Sequence, residues 1–170
     1  MPSGLFGYII DVEDTGKSVR FSYYENIGNS IEPVYDDVAV RGRSEEHIFY
    51  SHTSAETYSF SIRLAASVDE ADGGTTKKIW EDWLFIKSFA YPDYGRAARG
   101  PTKSPRKPRI TIGTWFKEEG VIRSPQATFV PPYDEQGFPH IIDVQFTFRV
   151  VSSKPRGYSD IRAGAFSGRQ

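Results

Sequence analysis

Cysteine is absent from this 170-residue chain, so neither a disulfide framework nor a thiolate-ligated metal can hold it together. An excess of charge is absent too: 21 Lys and Arg face 22 Asp and Glu, leaving a formal net charge of −1. That excludes the chain-wide basic field that by itself marks nucleic-acid binding. No apolar run approaches the roughly 18 residues of a membrane-spanning helix, and residues 1–14 put no basic segment before their apolar patch. The expectation is a soluble protein with no secretory signal and no membrane contact. Hydrophobic residues are lean at 38%, yet not so scarce that the chain could not fold. Its length suits one domain that encloses a core without staples.

Catalytic signatures are missing as well. There is no Gly-x-Ser-x-Gly elbow, no phosphate-cradling loop ending in Gly-Lys-Ser/Thr, and no dinucleotide fingerprint after a strand. The three histidines, His47, His52 and His140, sit in no recognisable motif. His47 and His52 are five residues apart, which on a regular strand sends them to opposite faces and prevents joint coordination of one ion. The carboxylate pairs Asp36-Asp37, Glu45-Glu46 and Glu118-Glu119 stand in turn-like contexts, where solvation explains them. No enzyme, metal or cofactor is expected.

What the chain does have is aromatic residues: 3 Trp, 10 Tyr and 12 Phe make 15% of it, and such side chains suit a pleated, half-buried surface. Residues 18–24 alternate Val19, Phe21 and Tyr23 against Arg20 and Ser22, the two-residue period of a strand. Residues 26–44 read as a long connection with one short strand near Val38-Ala39-Val40. From Thr57 to Leu64, Tyr58, Phe60, Ile62 and Leu64 point one way while Thr57, Ser59, Ser61 and Arg63 point the other. A helix over about 77–89, capped by Thr75 or Thr76, places Ile79, Trp80, Trp83, Leu84 and Ile86 on one stripe and ends before Pro92. A Trp pair at that spacing could stack a base or a sugar, but covering a sheet is the simpler reading.

Two strands follow, 109–116 and 120–130, with Lys117-Glu118-Glu119-Gly120 as the expected hairpin connection. Asp134-Glu135-Gln136-Gly137 suits a turn into a last strand from Ile141 to Val151, where Gln145, Thr147 and Arg149 oppose Val144, Phe146, Phe148 and Val150. The domain is thus expected over 1–151, with an extended tail over 152–170.

Between Asp93 and Glu118 there is no acid, while Arg96, Arg99, Lys103, Arg106, Lys107 and Arg109 all fall there. A Gly- and Pro-rich loop over 93–109 is expected to carry them. Such a block is either a solvated loop or a dock for a neighbouring subunit's acidic face or for phosphates.

The order of several short motifs resembles one family. These are Arg20-Phe21-Ser22-Tyr23, Val40-Arg41-Gly42-Arg43-Ser44-Glu45, the Thr57–Leu64 strand, and Tyr91-Pro92-Asp93-Tyr94-Gly95. They continue with Pro108-Arg109-Ile110-Thr111-Ile112-Gly113, Gly120-Val121-Ile122, the turn from Pro132 to Pro139, and Phe146-Thr147-Phe148. Together, from about Phe21 to Val151, they resemble the baseplate and tube-adaptor proteins of contractile phage tails and related injection systems, which often carry a LysM module. The chain ends at Gln170 without the residues a LysM module needs, so peptidoglycan binding is not expected.

The resemblance implies a mainly β fold with one packed α-helix, a tail-tube-like barrel or sandwich of antiparallel strands. It implies a virion protein assembled in the host cytoplasm, a homo-oligomeric sixfold ring joining the tail tube to the baseplate hub or spike beside wedge or sheath proteins. A channel through that ring would bring transient contact with a tape-measure protein or DNA. Its lining would be hydrophilic, which makes Thr57, Ser59, Ser61 and Arg63, or Gln145, Thr147 and Arg149, candidate channel residues. The competing expectation is a stand-alone carbohydrate- or nucleic-acid-binding β domain.

Overall fold

The computed structural model describes residues 6–21, 23–25, 27–38, 47–66, 76–92 and 104–151. Their strands are β1 (Gly7–Asp11), β2 (Ser18–Phe21), β3 (Tyr23–Tyr24), β4 (Gly28–Ser30), β5 (Pro33–Val38), β6 (His47–Thr53) and β7 (Thr57–Ala65). After them come helix α1 (Thr76–Ser88), then β8 (Pro108–Ile112), β9 (Phe116–Tyr133) and β10 (Pro139–Val150). The fold is mainly antiparallel β with one helix, as the alternation and the single 3.6-residue stripe require.

The main sheet runs in the order β2-β1-β8-β9-β10-β7-β3, with β4 also paired to β7. Strand β9 joins its two halves. Phe116–Glu119 pairs with β8, and from Gly120 onward the strand pairs with β10. Gly120 sits where β9 passes from one half to the other. A Cβ there would fall on the carbonyl oxygen of Arg149 and 2.7 Å from the Phe148 ring, so only glycine lets the two backbones approach. Barrel and sandwich were both compatible with the sequence; no closed barrel forms among the described residues. The ends of the sheet, β2 and β3, belong to neighbouring stretches of chain and pair with different partners, β1 and β7.

Inward residues from both halves and the helix form one core. Phe60 stacks on Phe146 at 5.3 Å between ring centroids and meets Phe116 edge-on at 5.7 Å, while Tyr58 meets Phe116 at 4.9 Å. Helix α1 buries Ile79, Trp83 and Ile86, and Phe89 follows them into the core. The apolar stripe is narrower than expected: Trp80 is half-buried and Leu84 is exposed. The Thr76 hydroxyl, at the helix start, donates to Asp134 in the β9–β10 turn and ties the helix to that end of the sheet.

Three expectations need correction. Lys117–Gly120 is not a connection but the first part of β9; the chain turns instead at Gly113, Thr114 and Trp115, with Gly113 at φ 52, a conformation open to glycine. Glu118 points inward and is 1% exposed, which breaks the apolar alternation and makes the segment look like a turn. Strand β1 was not anticipated. The long connection over 26–44 holds β4 and β5, and β5 pairs with β6 as a separate two-stranded ribbon. The expected tail, 152–170, lies outside the described residues.

Candidate interaction surface on the sheet

The two sets of polar residues proposed from sequence as alternatives form one surface. Antiparallel pairing of β7 and β10 sets Arg149 opposite Thr57, Thr147 opposite Ser59, Gln145 opposite Ser61 and Asp143 opposite Arg63. Their neighbours in each strand, from Tyr58 to Leu64 and from Ile142 to Val150, are buried on the other side. Strand β9 extends the face, placing Arg123 opposite Thr147 and Gln126 opposite Gln145. Between those pairs Ser124 and Pro125 share a single partner position, a bulge at which Ser124 takes φ 48.

At the bulge the face dips into a hollow of about 340 Å³ lined chiefly by Ser59, Ser61, Ser124, Gln126, Gln145 and Thr147. Hydroxyls and carboxamides donate and accept hydrogen bonds but do not ionise near neutrality. Among the described residues, what lines the hollow offers hydrogen bonding. Among the described residues, no cluster of His, Asp or Glu has the spacing to hold a metal ion.

Among the described residues, Arg63 and Asp143 form an ion pair on this face. Arg63 donates from Nε and Nη2 to the two carboxylate oxygens of Asp143, at 2.6 and 2.9 Å. Those hydrogen bonds, reinforced by the charge itself, hold the Asp143 carboxyl below the usual carboxylate range. Asp143 went unnoticed in the sequence, where nothing marks it as opposite Arg63.

The six basic residues of the expected loop divide into three groups. Arg96, Arg99 and Lys103 lie outside the described residues. Arg106 and Arg109 are engaged within the fold. Arg106 Nη1 donates to Asp11 Oδ2 at 3.0 Å, with Glu13 nearby, and Asp11 is itself 4% exposed. Arg109, on β8, forms an ion pair with Glu119 directly across the ladder on β9. Lys107 is exposed.

Two further features bear on assembly. Beyond Glu119, the edge of β9 turned away from β10 pairs with no strand among the described residues. On that strand Phe129, 40% exposed, contacts Trp80 of the helix, and Trp80 also meets Phe138. The β5–β6 ribbon, likewise, pairs with no third strand among the described residues and exposes Tyr35 and Tyr50, whose rings meet edge-on at 5.9 Å.

No protein-family model matches the chain. No curated protein matches it either. Among solved structures, the chain is similar to one from the C6-symmetric tail of an empty GTA particle, at 10% identity and a TM-score of 0.41, covering 92% of this chain and 98% of that one. A likeness of that strength establishes neither a shared fold nor a shared assembly.

Proposed function

We propose that this chain is a non-enzymatic structural subunit of a contractile, phage-type tail, one of six copies in a ring that joins the tail tube to the baseplate hub or spike. The observation that carries the proposal is the edge of β9 from Val121 to Tyr133, which pairs with no strand among the described residues. The bulge at Ser124-Pro125 and the Pro131-Pro132 pair interrupt that edge, and over the rest of it a neighbouring copy is the partner whose repetition closes a ring. The β5–β6 ribbon supports the same reading, because an isolated two-stranded ribbon is marginal in water and gains stability from a third strand or a docking surface. The order of motifs from Phe21 to Val151 points to the same family of assemblies. In such a ring the polar face of β7, β10 and β9 lines the channel, and Lys107 together with Arg96, Arg99 and Lys103 docks on adjacent wedge or sheath subunits. Arg106 and Arg109 leave that docking set, since their guanidinium groups hold β1 and β9.

Mass measurement and electron microscopy of the native complex test the proposal. The expected result is a closed ring of fixed cyclic stoichiometry within a tail-like particle. A chain that stays monomeric at all concentrations and binds oligosaccharide on its own would overturn it.

A further inference from the structure

Among the described residues, two features that lack a strand partner lie on opposite margins of one part of the sheet. Strand β9 forms the first margin, with β10 and β7 between it and β4. The β5–β6 ribbon springs from the second, where Ser54 N donates to Glu32 O at 2.8 Å and Glu32 N donates to Ser54 Oγ at 3.0 Å. Three strand spacings, about 14 Å, separate β9 from β4, and the open edge of β9 faces away from them. That edge asks for a strand, because its N–H and C=O groups need a ladder partner. Between Pro125 and Pro131, residues 126–130 each keep an N–H. Strands β2, β3 and β4 are shorter than that stretch, whereas β6 has seven residues and no proline.

We propose that the β5–β6 ribbon of one copy docks on β9 of the next, with β6 as the added strand and Tyr35 and Tyr50 packed on Phe129 and Trp80. The inference rests on the proposed function and deepens it, by naming the segment that covers β9. Side-chain direction fits this docking. Phe129 lies opposite the core residue Ile142, so it stands on the inner side of the sheet, beside the helix. The helix covers it in part: Trp80 meets it at 5.7 Å between ring centroids, and Leu84, one turn further on, is exposed. Tyr35 and Tyr50 lie opposite each other in the ribbon and share one face, where both are more than half exposed. A ribbon laid along β9 with that face inward buries the four rings together and leaves the tyrosine hydroxyls at the wet margin. The charges agree as well. Residues 32–53 hold Glu32, Asp36, Asp37, Glu45 and Glu46 against Arg41 and Arg43, while the one charged residue of 121–133 is Arg123. Because the contact joins opposite margins of the same sheet, it is heterologous, and its repetition closes a ring where the rotation allows.

The chain has no cysteine, so introduced thiols report which copies touch. Full-length Ser51→Cys and Thr128→Cys chains, both altered at exposed positions that leave the aromatic rings in place, are mixed and treated with a short bismaleimide that tolerates a slip of register. A tag on one of them separates mixed from like pairs on a denaturing gel, and the mass of the untreated species is measured in parallel. The expected product is the mixed pair, in about tenfold or greater excess over a mixture of Ser51→Cys with Lys87→Cys, whose thiol lies on the exposed side of the helix. Adding Tyr50→Ser to the Ser51→Cys chain is expected to cut the mixed pair about tenfold without changing the far-ultraviolet dichroism. The same cross-link in open ladders with no closed ring would keep the inference and remove the ring. Rings of normal mass that give no mixed pair would overturn the inference and keep the ring. A cross-link confined within single chains carrying both cysteines would also overturn it, by returning the ribbon to its own β9, and monomers without any cross-link would overturn both.

Discussion

Asp82 shows how one partly buried side chain sets a pH dependence. Partial burial of this α1 residue pushes its carboxyl up to about 6, with Lys78 pulling it down and Glu81 pushing it up less strongly. Because the folded value lies above the unfolded one, the unfolded chain releases its proton first as pH rises. This contribution to stability is therefore lost between about pH 4 and pH 6. Asp82→Asn is expected to be more stable than the unaltered chain at pH 7, by on the order of 1 kcal/mol once partial hydration is allowed for, and equal to it near pH 3.5. Urea unfolding at the two pH values checks this; a loss of stability at pH 7 would show that the carboxylate is held by a partner instead of penalised. Asp143 has the opposite sign, its contribution being present above the unfolded value and lost as pH falls through the lowered one.

At the scale of elements, β9 is the strand whose sequence must satisfy most constraints. Gly120→Val would drive a side chain into the backbone of β10, where neither Arg149 nor Phe148 has room to withdraw. Overpacking of this kind costs about 1–3 kcal/mol, and a backbone contact belongs at the upper end of that range or beyond. The expected outcome is a clearly lowered urea midpoint; an unchanged midpoint would mean that the corner can migrate along the strand. The same strand explains which elements the sequence disclosed. The β7 and β10 strands and the helix were legible because each keeps its period over many residues with apolar groups inward. The start of β9 was not, because inward Glu118 and Gly120 break the alternation. Strand β1 is short and ends on the buried Asp11, so its pattern does not rise above the background. Half of the polar face was readable on each of β7 and β10, but only the ladder shows that the halves are neighbours and that Arg123 joins them. Nor could sequence spacing reveal that Arg106 reaches Asp11 across 95 positions, which turns a docking candidate into a brace.

For the molecule as a whole, the shared strand and the aromatic cluster around Phe116 argue against independent halves. Phe60, Phe146 and Phe148 belong to one half of the sheet, and Phe116 enters the same cluster from the segment paired with the other. Unfolding is therefore expected as one transition, with tryptophan fluorescence and far-ultraviolet dichroism giving coincident urea midpoints. Two resolved midpoints would show that the β1-β2-β8 half melts on its own.

The margin of β9 that pairs with no strand among the described residues also has a mechanical meaning. That margin is continuous, through Gly120, with a strand segment locked between β8 and the aromatic centre. Whatever clasps residues 121–133 is thus gripping a rod whose other end is set in the interior. Capture there should slow amide exchange at Phe116–Glu119, remote from the clasp, so that each copy grows stiffer as its neighbour arrives.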